Sequence, residues 1–167
     1  AGKRQSQRFV ETVHGVGCKH ARTRTASGAG PTLDFLDICI EGEGEDVDVE
    51  LLECYRSAKR RGLDRHSFLL EVSKIPGVYV PSLYRHTYRE DGTIREIIPL
   101  EGAPKTVTKR IVQDMDKAYY PVNPIVPSTQ IIHDRTVLEL FRGCIRGCRF
   151  CQAGFCYRPV RPKSPER

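Results

Sequence analysis

The sequence predicts an α/β protein, and three stretches carry that prediction. Leu33 to Ile40 is an apolar run that leads through a glycine turn, Glu41-Gly-Glu-Gly-Glu45, into a helical pattern over 47–61. Val78 to Tyr88 and Thr93 to Ile98 read as two strands around Asp91-Gly92, a hairpin turn signal. Thr136 to Phe141 is a third short apolar run, and it leads directly into a cluster of cysteines.

The first unit is a strand, a glycine turn and a helix, half of a Rossmann-like unit. Leu51, Leu52, Tyr55 and Ala58 are expected on the inward face of the helix. Glu45, Asp46, Asp48 and Glu50 suit the positive end of its dipole, and Lys59, Arg60 and Arg61 suit the negative end. Gly62 is placed to stop it. Gly42-x-Gly44 is not a phosphate loop: it lacks the third glycine of the dinucleotide fingerprint, and its flanking carboxylates repel a pyrophosphate. A short helix over 65–74 follows, with Phe68, Leu69 and Val72 inward and His66 on its surface.

Residues 76–128 read as a connector. Tyr84, His86 and Tyr88 are expected on one strand face, which could stack on a cofactor but is more plainly a half-buried sheet surface. Tyr119 to Pro127 holds three prolines in seven residues, so it is extended and stiff. The run over 136–141 reads as the first strand of a barrel sheet, with the cysteine loop at its carboxyl end, where α/β folds place ligands. Ser164-Pro165-Glu166 carries helix-start chemistry.

Residues 1–30 carry little periodicity and hold six Lys or Arg against one Glu, nearly all of the chain's net charge of +6. Such a lead can bind nucleic acid; a solvated tail is the plainer reading. No run is long and apolar enough for a transmembrane helix, and the lead has no apolar signal core, so no membrane partner is expected. Seven cysteines, an odd number with four clustered, fit a reducing cytoplasm and a metal site better than a disulfide framework.

The chemistry concentrates in Arg142-Gly-Cys-Ile-Arg-Gly-Cys-Arg-Phe-Cys151. Cys144, Cys148 and Cys151 stand at Cys-x3-Cys-x2-Cys spacing, and such thiolate runs hold iron–sulfur clusters. Gly143 and Gly147 are expected to give the loop its tight, left-handed turns. Arg142, Arg146 and Arg149 set positive charge beside an anionic cluster. Three ligands leave one iron of a 4Fe–4S cluster open, and an open site is where a metal centre does chemistry. The alternatives are a four-thiolate zinc site that adds Cys156, and a redox pair of Cys148 with Cys151.

With Phe150 just before its last cysteine, this motif resembles the signature of the radical S-adenosylmethionine (radical SAM) superfamily. The Glu41–Glu45 segment resembles the end of the cobalamin-binding domain that precedes the barrel in cobalamin-dependent members. Ile-Pro-Gly-Val-Tyr-Val-Pro, residues 75–81, and Tyr-Arg-Pro-Val-Arg, residues 157–161, resemble the uncharacterised cobalamin-binding subgroup.

The resemblance implies a 4Fe–4S cluster on Cys144, Cys148 and Cys151, with Gly143 and Gly147 in the cluster loop and Phe150 on the SAM adenine side. It implies SAM, an electron donor such as flavodoxin or ferredoxin, and cobalamin as a further cofactor of the parent protein. It also implies a division into a lead over 1–30, the terminal βα part of a Rossmann-like domain over 31–75, the connector over 76–128, and the start of a radical SAM (β/α) barrel over 129–167. Only residues 152–167 follow the motif, and a complete barrel needs on the order of a hundred more. The chain therefore reads as an internal fragment of a larger enzyme, its barrel incomplete. The substrate is not legible, and the rival function is a non-catalytic zinc-binding module that touches nucleic acid through the basic lead.

Overall fold

A computed structural model describes residues 36–123, 125–132, 135, 137–151 and 157–166. The described residues divide into two compact units, the first ending at Ile111 and the second beginning at Val112. Expectations for the lead, for 33–35, for Thr136 and for Cys156 lie outside the described residues.

In the first unit, strand β1 (Cys39–Ile40) leads into helix α1 (Gly44–Arg61), which is followed by helix α2 (Arg65–Val72) and strand β2 (Val78–Tyr79). β1 and β2 pair antiparallel, Cys39 opposite Tyr79 and Ile40 opposite Val78. A Rossmann-like pair would be parallel. Two helices rather than one lie between these strands, so β2 starts from the end that β1 leaves.

α1 begins at Gly44, three residues before the expected start, with Glu45 and Asp46 in its first turn and Lys59, Arg60 and Arg61 in its last. Gly62 ends it in the left-handed conformation, φ 68°, with its N–H turned back to the Ala58 and Lys59 carbonyls. The inward stripe is Val47, Leu51 and Ala58, with Cys54 packed against the core. Leu52 and Tyr55 were expected inward and are instead 56% and 48% exposed. A stripe through 47, 51, 54 and 58 fills the helix face at its natural period, which turns 52 and 55 to its flank. There the Tyr55 ring meets Phe68 edge-on, centroids 5.6 Å apart.

Asp64 caps α2, its carboxylate accepting the Ser67 N–H at 2.7 Å. Leu69 and Val72 are buried and Phe68 is half-buried. The helix stops at Val72, short of Lys74, as Pro76 approaches. Arg61 of α1 forks onto Glu71 of α2, Nη1 to Oε1 at 2.9 Å.

The expected strand over 78–88 is broken. Pro81 has no N–H and starts a 3-10 turn over Pro81–Leu83. Strand β3 (Tyr84–Tyr88) then pairs antiparallel with β4 (Ile94–Pro99). The Asp91-Gly92 hairpin is present: the Asp91 carboxylate accepts the Thr93 N–H at 2.9 Å, and Gly92 has φ 77°. The register shifts between Thr87 and Tyr88, so the shared face fails at its end: Tyr84 is buried and Tyr88 is exposed. Ile38, Ile40, Val47, Leu51, Leu69, Val72, Val78, Val80 and Leu83 form the core of this unit.

The second unit holds strands β5 (Phe141–Arg142) and β6 (Arg161–Pro162), paired antiparallel. The run over 136–141 was expected to be a strand, but bonded strand begins only at Phe141, and Val137, Leu138 and Leu140 are exposed. β6 is tied in on its far side. The buried Arg161 guanidinium donates to the Val112 carbonyl at 2.5 Å, and the Ser164 N–H donates to Asp116 at 2.8 Å. Pro165 and Glu166 form a turn, and the helix expected to start there would continue outside the described residues. The strap over 119–127 is irregular where described, with Tyr119, Val122, Ile125 and Val126 exposed. Its Tyr120 hydroxyl donates to the Val137 carbonyl at 2.7 Å, and Lys163 lies 4.7 Å over the Tyr120 ring.

Among the described residues every strand pair is antiparallel, and parallel contact is limited to one bridge, Gly42 to Arg110. No described helix is long and apolar enough to cross a membrane.

Candidate metal centre

The cysteine loop leaves the carboxyl end of β5 at Gly143. Gly143 has φ 110°, and a Cβ there would stand 2.5 Å from the Pro159 carbonyl oxygen and 2.6 Å from that of Tyr157. Only glycine meets both demands, so Gly143 fixes where the loop starts against the segment that returns into β6. Gly147 differs from its expectation. Its φ is outside the left-handed region, and a Cβ there would meet only the Arg158 guanidinium, at 4.0 Å. It gives the loop open space, not a strained turn.

Between these glycines and Cys151 all three thiols are free. Cys144 and Cys151 are half-buried, and Cys148 is exposed. The Cys151 N–H donates to the Cys148 carbonyl at 3.2 Å and closes a turn over Arg149 and Phe150. Phe150 is 91% exposed, open to stack on a planar partner. Among the described residues, no three His, Cys, Asp or Glu side chains converge on a point that could hold a metal ion. The donor set fits an iron–sulfur cluster in kind, three unpaired thiols in eight residues, although the loop does not gather them on one point.

Charge around the loop is distributed otherwise than expected. Arg142 points back to Glu139, Nε to Oε1 at 2.8 Å and Nη2 to Oε2 at 2.9 Å. It holds the strand end and is not free to face the thiols. Arg146 and Arg149 are exposed beside Cys148, and the Arg158 guanidinium lies 3.4 Å from the Arg146 carbonyl.

A second constellation lies in the first unit, and it joins two motifs that the sequence presents far apart. The Glu41 N–H donates to the Gly77 carbonyl at 2.7 Å, which sets Glu41–Glu45 beside Ile75–Pro81. The backbone of Arg110 closes the other side: its N–H donates to the Glu41 carbonyl at 2.8 Å, and its carbonyl accepts the Glu43 N–H at 3.0 Å. Gly77, φ 90°, is pressed by the same residue, since a Cβ there would come within 2.9 Å of the Arg110 Cβ. The Arg110 guanidinium forks onto Glu50 of α1, one arm at 3.2 Å. Sequence reading missed Arg110 because nothing local marks it.

Burial pushes the Glu41 carboxyl above the ordinary carboxylate range. Burial likewise raises the Tyr79 hydroxyl, and Tyr84, Cys39 and Glu41 nearby raise it further. Tyr79 and Tyr84 stack with centroids 4.7 Å apart, and the Tyr84 hydroxyl donates to the Pro104 carbonyl at 2.7 Å. His66, on the surface as expected, pairs with Glu101 at 2.5 Å.

No curated protein and no solved structure matches the chain. Residues 21–81 match the family model described as radical SAM proteins, N-terminal. That segment contains both the Glu41–Glu45 and the Ile75–Pro81 motifs but ends before the cysteine loop. The match relates the chain, through its first unit, to the radical SAM proteins.

Proposed function

We propose that this chain serves in a radical SAM enzyme in which Cys144, Cys148 and Cys151 hold a 4Fe–4S cluster and leave its fourth iron to SAM. One observation carries the reading: a segment matched as radical SAM N-terminal is followed, in the same chain, by three free thiols at Cys-x3-Cys-x2-Cys spacing after a strand. When bound, such a cluster delivers the electron that cleaves SAM to methionine and a 5′-deoxyadenosyl radical, which abstracts hydrogen from substrate.

The chain's own residues have separable tasks in this reading. Cys148 and Cys151 already share a turn, and Cys144 joins them as the loop closes through the open space at Gly147. Gly143 holds the loop's base. Phe150, exposed between two ligands, offers its ring to the adenine of SAM. Arg146 and Arg149 draw an acidic electron donor, flavodoxin or ferredoxin, to the loop. In the same reading the first unit belongs to the end of a cobalamin-type domain and the second unit to the start of a barrel, in a cytoplasmic protein.

Anaerobic reconstitution with iron and sulfide tests the proposal. The expected result is a broad absorbance near about 400 nm that is lost in Cys144→Ala, Cys148→Ala and Cys151→Ala, with reductive cleavage of added SAM. Zinc retained in four-thiolate geometry, with Cys156 as the fourth ligand, would establish the zinc module instead. Cobalamin rests on the resemblance of Glu41–Glu45, residues 75–81 and residues 157–161 to the cobalamin-binding subgroup, and its retention by the anaerobic protein after gel filtration tests it separately.

A further inference from the structure

The described residues hold five cysteines, none of them in a disulfide. They differ in access. Cys39 is buried in β1, and Cys54 is half-buried on α1, where burial first and then the Glu71 carboxylate push its thiol up. Both are poor nucleophiles. Cys148 is exposed, and it is joined by a backbone bond to a second cysteine: the Cys151 N–H donates to its carbonyl at 3.2 Å. A turn closed in this way keeps its end Cα atoms within about 7 Å, and a disulfide spans Cα atoms about 4.4–6.8 Å apart. Cys144 lies outside that turn, beside Gly143, which is pressed against the Tyr157 and Pro159 carbonyls. Arg149 and Phe150, the turn's two central residues, are exposed, so a reagent in solution reaches the Cys148 sulfur.

We propose that Cys148 and Cys151, when no metal is bound, form a reversible disulfide within their turn, a modification site that withdraws two of the loop's three thiols from metal binding. The oxidant is a low-molecular-weight disulfide. The Cys148 sulfur attacks one reagent sulfur to give a mixed disulfide, and one reagent thiol leaves carrying the Cys148 proton. The Cys151 sulfur then attacks the Cys148 sulfur, and the second reagent thiol leaves with the Cys151 proton. Two protein thiols are oxidised to one disulfide, and one reagent disulfide is reduced to two thiols. Exposed Arg146 and Arg149 favour an anionic reagent such as oxidised glutathione. The disulfide itself is independent of the cluster reading; its consequence, a block on iron uptake, rests on that reading.

The test uses the full, metal-free chain under anaerobic conditions. It is treated with oxidised glutathione, digested without reduction and mapped by mass spectrometry. The expected product is a single bond, Cys148 to Cys151, in the wild type and equally in Cys144→Ser, with a glutathione adduct held on Cys148 in Cys151→Ser. Iron uptake is then lost in the oxidised wild type and restored by dithiothreitol. A bond from Cys148 to Cys144 or Cys156, or glutathione left on Cys148 of the wild type, overturns the proposal. A mapped Cys148–Cys151 bond in a chain that takes up no iron even when reduced upholds the disulfide and counts against the cluster.

Discussion

Gly42 lies against the backbone of Arg110 so closely that a Cβ on it would stand 1.9 Å from the Arg110 carbonyl oxygen. The two residues form the parallel bridge of the first unit, and the Glu43 N–H and the Glu41 carbonyl on either side complete it by bonding to Arg110. The glycine segment therefore does structural work: it lets a third stretch of backbone run beside the β1–β2 pair. The side chain of Arg110 is held as well, since Glu50, in the second turn of α1, takes its guanidinium.

Gly42→Ala should therefore be costly. The alanine would need φ near 113° and would overlap the carbonyl of Arg110, a residue whose backbone is held by two hydrogen bonds. Strain and overlap together amount to on the order of 3 kcal/mol. Gly62→Ala is the control: φ is 68° and nothing lies within 4 Å of the added Cβ, so about 1 kcal/mol is expected. Urea unfolding followed by far-UV circular dichroism reads the difference, because both described helices lie in this unit. Equal costs at the two positions would refute the close approach.

The pH dependence of stability should carry a signature of Glu41. Burial raises its carboxyl in the folded chain, while the unfolded chain titrates near about 4.3. Between those values the folded state holds more protons, so stability falls as pH rises through the window. Glu41→Gln removes the ionisation and keeps the backbone bonds to Gly77 and Arg110. The variant should match the wild type at pH values below the window and exceed it increasingly toward neutrality. A difference that does not change with pH would show that this carboxyl is solvated, and one of opposite sign that the folded chain favours its charged form.

Local chemistry was legible in the sequence, and long-range closure was not. Gly62 with Lys59–Arg61 marked the end of α1, and Asp91-Gly92 marked the hairpin, because those signals act within a few residues. The inward stripe of α1 was misdrawn because Cys54 gave a weaker apolar signal than its neighbours Leu52 and Tyr55, although it is Cys54 that packs on the core. Arg110 follows Glu50 by sixty positions, and no periodicity links them. In the cysteine loop the spacing was legible at once. The pairing of Arg142 with Glu139 was not, because two opposite charges three residues apart signal a helix pair only where a helix forms, and here a strand begins.

Tyr84→Phe isolates one hydrogen bond at the Tyr79–Tyr84 stack. Tyr84 is buried, and its hydroxyl donates to the Pro104 carbonyl at 2.7 Å. Phenylalanine keeps the stack on Tyr79 and leaves that carbonyl without its donor, at a cost of about 1 kcal/mol. Tyr84→Ala also removes the ring and should cost about 3–5 kcal/mol, by comparison with other buried aromatics. The same urea titration separates the two, and a neutral Tyr84→Phe would mean that water replaces the bond.

The two glycines of the cysteine loop should behave oppositely. Gly143 sits at φ 110° with carbonyls of Pro159 and Tyr157 where a side chain would go, while Gly147 has open space and ordinary φ. Gly143→Ala should push β5 away from β6, weaken the Phe141–Pro162 and Arg142–Arg161 pairing, and so displace Cys144, which follows it directly. Gly147→Ala should leave that pairing intact. Hydrogen exchange at the Lys163 amide, which donates to the Leu140 carbonyl at 2.9 Å, reports on the pairing without any metal present. The expected outcome is fast exchange in Gly143→Ala alone, accompanied by loss of iron uptake on reconstitution. Unchanged protection in Gly143→Ala would mean that the loop is not anchored through this glycine, and the geometry proposed for Cys144 would fall with it.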